Sequence, residues 1–258
     1  MYFIDVQGTL ITDDTRLPTR GSVRFIDTLN KNHTSYMVVT NNTKHASDDF
    51  LQYLNDIGLA IPKENYLDPL MLLEDRVDKN SVAAYGTDEF LAVLSQMGYK
   101  FDFQNPQTVI VSIKADFTFD EFAQMTEFLL AGAKLVGMHE TALYKKNEKR
   151  YPGVGAILRM LSFATSVEYE TIGKPSRNFY DTALECLKSQ AKDVTFEDIT
   201  IVSDDLKGDL VKAAALGMRT ILVLSGKYKK ADEILPFVSQ AEQPDLIFED
   251  IQEMMERV

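Results

Sequence analysis

Asp5-Val6-Gln7-Gly8-Thr9-Leu10, entered from the apolar run Met1-Tyr2-Phe3-Ile4, is the stretch on which the fold turns. An apolar run that stops at a carboxylate and passes into a Gly-Thr turn reads as a buried strand whose carboxyl end is Asp5. Gly8 permits a tight turn that aims backbone N–H groups at an anion. Downstream, Val23, Phe25, Ile26 and Leu29 recur at helical spacing. Ser35-Tyr36-Met37-Val38-Val39-Thr40 reads as a second buried strand, ending in Thr40-Asn41-Asn42. Phe50, Leu51, Leu54 and Ile57 mark a helix, and Gly58 suits the position just past its end. Much later, Ile199 to Ser203 is a third strand ending at Asp204-Asp205. A helix with Val211, Ala214 and Ala215 follows, closed by Gly217, and Thr220 to Leu224 is a fourth strand.

Strands alternating with helices imply an α/β fold: a Rossmann-like parallel sheet with helices on both faces. The middle of the chain repeats the alternation. Ser81 to Tyr85, Thr108 to Ile113 and Lys134 to Met138 read as strands, and Asp88 to Met97 and Phe119 to Leu130 as helices. None of these strands runs into a polar cluster like those after the first three. The expected organisation is therefore a core of residues 1–71 and 169–258 with an inserted α/β domain over 72–168.

Ligands of open parallel sheets sit beyond the carboxyl ends of the strands. Asp5, Thr40-Asn41-Asn42 and Asp204-Asp205 stand at such ends, and Lys174 in Gly173-Lys174-Pro175-Ser176 is a fourth candidate. Asp5 can act as a nucleophile or a metal ligand. Thr40 offers a hydroxyl and Asn41 a backbone N–H to phosphate oxygens. Lys174 supplies a compact positive charge against a dianion. Asp204 can complete an oxygen-rich magnesium site that retains several waters, and Asp209 can orient those waters. Taken singly, each is an ordinary turn, cap or loop residue; their joint order on strand ends is what points to a phosphate pocket.

In that order the four segments resemble the motifs of the haloacid dehalogenase (HAD) superfamily of phosphohydrolases. The chain is most similar to the class IIA branch, which includes NagD-type nucleotide and sugar phosphatases and pyridoxal and nitrophenyl phosphatases. The family pattern is Asp-x-Asp-Gly-Thr, a strand ending Thr/Ser-Asn-Asn, a lysine in Gly-Lys-Pro, and Gly-Asp with a second Asp further on. Here these read Asp5-Val6-Gln7-Gly8-Thr9, Thr40-Asn41-Asn42, Gly173-Lys174-Pro175, and Ser203-Asp204 with Asp209. The inserted domain between the second and third motifs matches the family's cap, and Pro152-Gly153-Val154-Gly155-Ala156 resembles the segment where the cap returns to the core. The resemblance implies an aspartyl-phosphate on Asp5. It implies Mg2+ held by Asp5, the carbonyl of Gln7 and Asp204, with Asp209 behind them. It implies phosphate contacts from Gly8, Thr40, Asn41, Asn42 and Lys174. His139 falls where the resemblance puts a cap loop that reads substrates.

Two positions depart from the pattern. Ser203 stands where the family has glycine, which is tolerable if that backbone is not left-handed. Gln7 replaces the Asp that protonates the leaving alcohol and later activates water, and an amide can do neither. Two readings follow: an attenuated, leaving-group-selective phosphatase, or a catalytically inactive protein that binds or senses a phosphorylated metabolite. Retention of Asp5, Lys174, Asp204 and Asp209 favours the enzyme.

Composition narrows the partners. A hydrophobic content of 45% supports a full core, and the net charge of -12 disfavours nucleic acid. The single cysteine, Cys186, cannot form an internal disulfide and reads as a buried apolar residue of a helix. No apolar run approaches a membrane span, and a cytoplasmic protein is expected. The expected partner is a small phosphorylated metabolite, with self-association through the cap left open. His33, His45 and His139 are scattered and show no zinc spacing. His33 reads as a solvated loop residue and His45 as a loop residue close to the Thr40-Asn41-Asn42 turn. The mostly basic run Lys145 to Arg150 reads as a solvated loop.

Overall fold

The computed structural model describes residues 1–146 and 149–258. In chain order the elements are β1 (Tyr2–Ile4), α1 (Ser22–Lys31), β2 (Tyr36–Val39), α2 (Ser47–Asp56), β3 (Tyr66–Leu67), α3 (Pro69–Arg76), β4 (Val82–Tyr85), α4 (Asp88–Gln96), β5 (Thr108–Val111), α5 (Phe119–Leu130) and β6 (Lys134–Gly137). They continue with β7 (Leu143–Lys146), β8 (Lys149–Pro152), α6 (Val154–Thr165), β9 (Tyr169–Thr171), α7 (Arg177–Lys188), β10 (Thr200–Ser203), α8 (Val211–Ala215), β11 (Arg219–Val223), β12 (Leu246–Phe248) and α9 (Ile251–Arg257). The chain divides into two compact units: Met1–Thr40, Asp48–Leu67 and Tyr180–Val258 in the first, and Asn41–Ser47 with Asp68–Phe179 in the second.

The first unit is built on a six-stranded sheet in the order β12-β11-β10-β1-β2-β3, parallel throughout. Ile4 is level with Val202 of β10 and with Val38 of β2. The strands are short and apolar because both faces are covered, as parallel sheets require. Ile4, Val38, Val202, Ile221 and Val223 point into one core with Phe25, Ile26, Leu51 and Leu54 of α1 and α2. The alternate residues Phe3, Met37, Ile201 and Leu222 are equally buried, and Tyr180 of α7 stacks on Phe3 with ring centroids 6.3 Å apart. This register sets the residues just past β1, β2 and β10 side by side. Asp5, Thr40 and Asp204 therefore follow neighbouring strand ends by construction.

The second unit carries a parallel four-stranded sheet, β4-β5-β6-β9, and the antiparallel pair β7–β8. Its core joins Tyr85, Val109, Val111 and Leu135 of the sheet to Met125 and Leu129 of α5 and to Ile157, Leu158 and Leu161 of α6. Thr118 and Glu121 form a reciprocal capping box at the start of α5. The expected edges at 72 and 168 both fall inside this unit. At the near edge, Asp68 caps α3 by accepting from Leu70 and Met71 N–H. At the far edge, β9 pairs with β6, Tyr169 opposite Leu135. Lys174 accordingly follows a strand of the second sheet, not of the first. The basic run 145–150 lies partly outside the described residues. Cys186 is partly exposed rather than buried, because it sits at the margin of the α7 face that buries Ala183 and Leu187.

Candidate active site

The first group of site residues belongs to the first unit. Asp5, 6% exposed, leaves β1 with its N–H donating to the Val202 carbonyl at 2.9 Å. The chain then folds tightly on itself. The Val6 carbonyl accepts from Leu10 N–H at 2.9 Å and Ile11 N–H at 3.0 Å, and Gly8, at φ 75°, donates to the Ile11 carbonyl at 2.8 Å. Thr9 reaches across: its hydroxyl oxygen accepts from Asp204 N–H at 3.0 Å. Gly8 is required here for space as well as for its positive φ. A Cβ built on it would lie 2.1 Å from Oδ2 of Asp204.

Asp204 is buried, and its carboxyl is held well above the usual range. Burial is the largest cause, followed by the Asp5 and Asp205 charges; Lys227 N–H, donating to Oδ2 at 2.7 Å, pulls the other way. A cation beside Asp5 and Asp204 would relieve that repulsion. The donor set of Asp5, Asp204 and a backbone carbonyl is hard oxygen, which suits magnesium. Among the described residues, no group of three or more His, Cys, Asp or Glu side chains is arranged to hold a metal by itself.

Asp209 sits on a single π-helical turn, Leu206–Leu210, a distortion frequent at functional sites. Its Oδ2 accepts from the Ser203 hydroxyl at 2.8 Å, and the same hydroxyl accepts from Asp205 N–H at 3.1 Å. Ser203 is not among the positive-φ residues, so a side chain is tolerated where the family pattern has glycine. That side chain positions Asp209. Gln7, the other departure, is exposed. Thr40, fully buried, donates its hydroxyl to Gln7 Oε1 at 2.8 Å. The one hydroxyl proton expected for phosphate is thus committed to the amide.

The second group belongs to the second unit. Asn41 clasps the backbone of Lys174: Lys174 N–H donates to Asn41 Oδ1 at 2.8 Å, and Asn41 Nδ2 donates to the Lys174 carbonyl at 3.2 Å. Gly173 lets this happen, since a Cβ there would lie 2.5 Å from Asn41 Oδ1. Lys174 is 1% exposed. Asn42, expected at phosphate, is held by its side chain. Its Nδ2 donates to the His45 carbonyl at 2.7 Å and to Asp68 Oδ2 at 3.2 Å, and its Oδ1 accepts from His45 N–H at 3.3 Å. His139 lies in the segment that joins β6 to β7. It is 6% exposed just beyond β6, and burial, then the Lys174 charge, lower its pKa to about 4. It is neutral at pH 7, with Nδ1 accepting from Thr141 N–H at 3.4 Å.

The loop after β11, which follows a legible strand, adds contacts that none of the four motifs includes. Ser225 donates its hydroxyl to the Gly8 carbonyl at 2.7 Å, and a Cβ on Gly226 would lie 2.0 Å from Asp204 Oδ2. Ser-Gly after an apolar run was the available signal. No helix among the described residues is long and apolar enough to cross a membrane.

Comparison with known proteins bears on the family and the fold. The family described as haloacid dehalogenase-like hydrolase matches residues 2–100, and the one described as HAD-hydrolase-like matches residues 171–254. Haloacid dehalogenase-like hydrolase domain-containing protein 2 of Mus musculus is 28% identical over 231 residues, covering 89% of this chain and 86% of its own. An acid sugar phosphatase of Staphylococcus haemolyticus is 26% identical over 257 residues, covering 97% and 93%. The solved p-nitrophenyl phosphatase of Archaeoglobus fulgidus superposes with a TM-score of 0.81 at 21% identity, over 100% of this chain and 98% of that one. The two family matches, over residues 2–100 and 171–254, together place the chain among the haloacid dehalogenase-like hydrolases, and the solved neighbours share its fold.

Proposed function

We propose that this chain hydrolyses phosphate monoesters through an aspartyl-phosphate on Asp5, and that Gln7 makes the reaction selective for good leaving groups. Asp5, the Gln7 carbonyl and Asp204 would hold Mg2+, which when bound neutralises phosphoryl charge. A carboxylate oxygen of Asp5 attacks phosphorus, and the bond from phosphorus to the ester oxygen breaks, its electron pair leaving with that oxygen. Lys174 and the Asn41 backbone N–H are the groups we assign to the phosphoryl oxygens, and Asp209 the one we assign to orienting water. In the second half, water attacks the same phosphorus and Asp5 is released.

Both halves ordinarily use a carboxyl group to carry a proton. The observation that carries the proposal is the Thr40–Gln7 hydrogen bond of 2.8 Å. It supports this reading, because the residue we assign to the acid/base position is an amide tied down by its oxygen, with no titratable proton. The departing oxygen must leave unprotonated, so aryl and acyl phosphates should turn over and alkyl and sugar phosphates should lag. The names of the relatives support a phosphate monoester; this position sets which monoesters react quickly.

The test is a leaving-group series on wild type and Gln7→Asp with magnesium. A steep dependence in wild type that flattens in Gln7→Asp is expected. Equal rates for alkyl and aryl phosphates in wild type would mean that another group supplies the proton, with His45 the first to replace. No turnover by either protein, together with no phosphorylation of Asp5, would leave the phospho-metabolite-binding reading.

A further inference from the structure

Asp204 is held by the loop after β11 on one oxygen. Lys227 N–H donates to Oδ2 at 2.7 Å, and the same atom is the closest neighbour of a Cβ built on either Gly8 or Gly226, at 2.1 Å and 2.0 Å. The loop is fastened at three points besides. Ser225 donates its hydroxyl to the Gly8 carbonyl at 2.7 Å, Lys229 Nζ donates to the Ser225 carbonyl at 2.7 Å, and Lys227 Nζ pairs with Asp205 Oδ2 at 2.7 Å. Ser225, Gly226 and Lys227 thus join the turn after β1 to the turn after β10. Oδ1 of Asp204 carries neither the loop's hydrogen bond nor its closest packing.

We infer that Ser225-Gly226-Lys227 makes the cation site selective for magnesium over calcium, by engaging Oδ2 of Asp204 and offering a cation Oδ1 alone. The inference rests on the magnesium reading above. Magnesium takes six oxygens in a near-ideal octahedron and keeps several waters, so a one-oxygen carboxylate suits it. Calcium takes six to eight oxygens and accepts carboxylates through both at once. A carboxylate with one oxygen occupied and wedged between two glycines cannot turn to present both. Lys227 is a positioning residue here: its ammonium, paired with Asp205, keeps its own N–H on Asp204.

Two variants probe this without relying on activity. The φ of Gly226 lies outside the left-handed region, so Gly226→Ala acts through space alone, crowding both the Asp204 carboxylate and the Gly8 Cα, which a Cβ there would meet at 2.0 Å and 2.5 Å. Lys227→Met removes the ion pair but keeps the stem and the N–H. The side chains of that pair are 35% and 19% exposed, so its loss should leave metal-free thermal stability nearly unchanged. Titration calorimetry of the full chain with magnesium chloride and with calcium chloride is the measurement. Wild type should bind magnesium more tightly than calcium. Lys227→Met should lower the magnesium-to-calcium affinity ratio about 10-fold, Lys227→Arg should restore it, and Gly226→Ala should weaken magnesium about 10- to 100-fold. An unchanged ratio in Lys227→Met overturns the inference, and does so even if Gly226→Ala fails to fold. Binding of neither ion by wild type overturns the magnesium reading itself, and with it the inference.

Discussion

The two polar clusters of this molecule are assembled in opposite ways. In the first unit, Asp5, Asp204, Asp205 and Asp209 gather past β1 and β10. Asp204 is held above the usual carboxylate range by burial and by the charges of Asp5 and Asp205. In the second unit, Asn41 and Asn42 are bonded on both ends of their amides, and His139 is neutral beside Lys174. One cluster stores repulsion that a cation would relieve, and the other is complete as it stands. The difference separates carboxylates crowded by like charge from amides already held at both ends, although the Thr-Asn-Asn and Asp motifs look alike on a strand end. Stability is commonly sacrificed at functional sites in this way.

The largest effect that sharpens the contrast is chemical. Gln7→Asp should accelerate alkyl phosphate hydrolysis by about 10² to 10⁴, the usual contribution of general acid–base catalysis, with a much smaller gain on aryl phosphates. A second effect concerns pH and belongs to the second cluster. The folded pKa of His139, about 4, lies below its ordinary value of 6.5. Its contribution to stability is therefore fully present above pH 6.5 and is lost as pH falls towards 4. The loss should reach about 3 kcal/mol. Urea unfolding of wild type and His139→Gln between pH 7.5 and 4.5 reads it: the wild-type curve should fall more steeply, and parallel curves would contradict the assignment.

Smaller still are two substitutions that should act with opposite signs in metal-free buffer. Asn42→Ala strips partners from buried groups and should cost about 1–3 kcal/mol. Asp204→Asn removes a repelled, buried charge and should raise metal-free stability by about 1 kcal/mol, while abolishing the rise in melting temperature that magnesium gives wild type. Destabilisation by both would erase the distinction between the clusters.

Much of this was legible beforehand. Ile4, Val38 and Val202 lie on strands that read as apolar runs because a parallel sheet buries both faces, and the polar residues that stop those runs mark the ligand edge. β9 was not legible. Tyr169-Glu170-Thr171 is three residues long, with Glu170 exposed, and pairs only at a sheet edge, so no apolar run announces it. Lys174 therefore follows a strand that no apolar run announces. The task of Asn42 was hidden because its partner Asp68 is 26 residues away in sequence. The clamp on Asp204 was hidden because its donor is a backbone N–H, which Lys227 shares with every residue but proline.

The central claim is that a phosphoryl group passes through Asp5 and lingers there because Gln7 cannot activate water. Acid-quenched mass spectrometry during turnover of an aryl phosphate with magnesium tests it most directly. Wild type should accumulate a phosphoryl group on the peptide bearing Asp5, Gln7→Asp should accumulate far less at a higher turnover rate, and Asp5→Asn should show none. Steady hydrolysis by wild type with no phosphoryl group on Asp5 at any time, and the same hydrolysis by Asp5→Asn, would contradict the account.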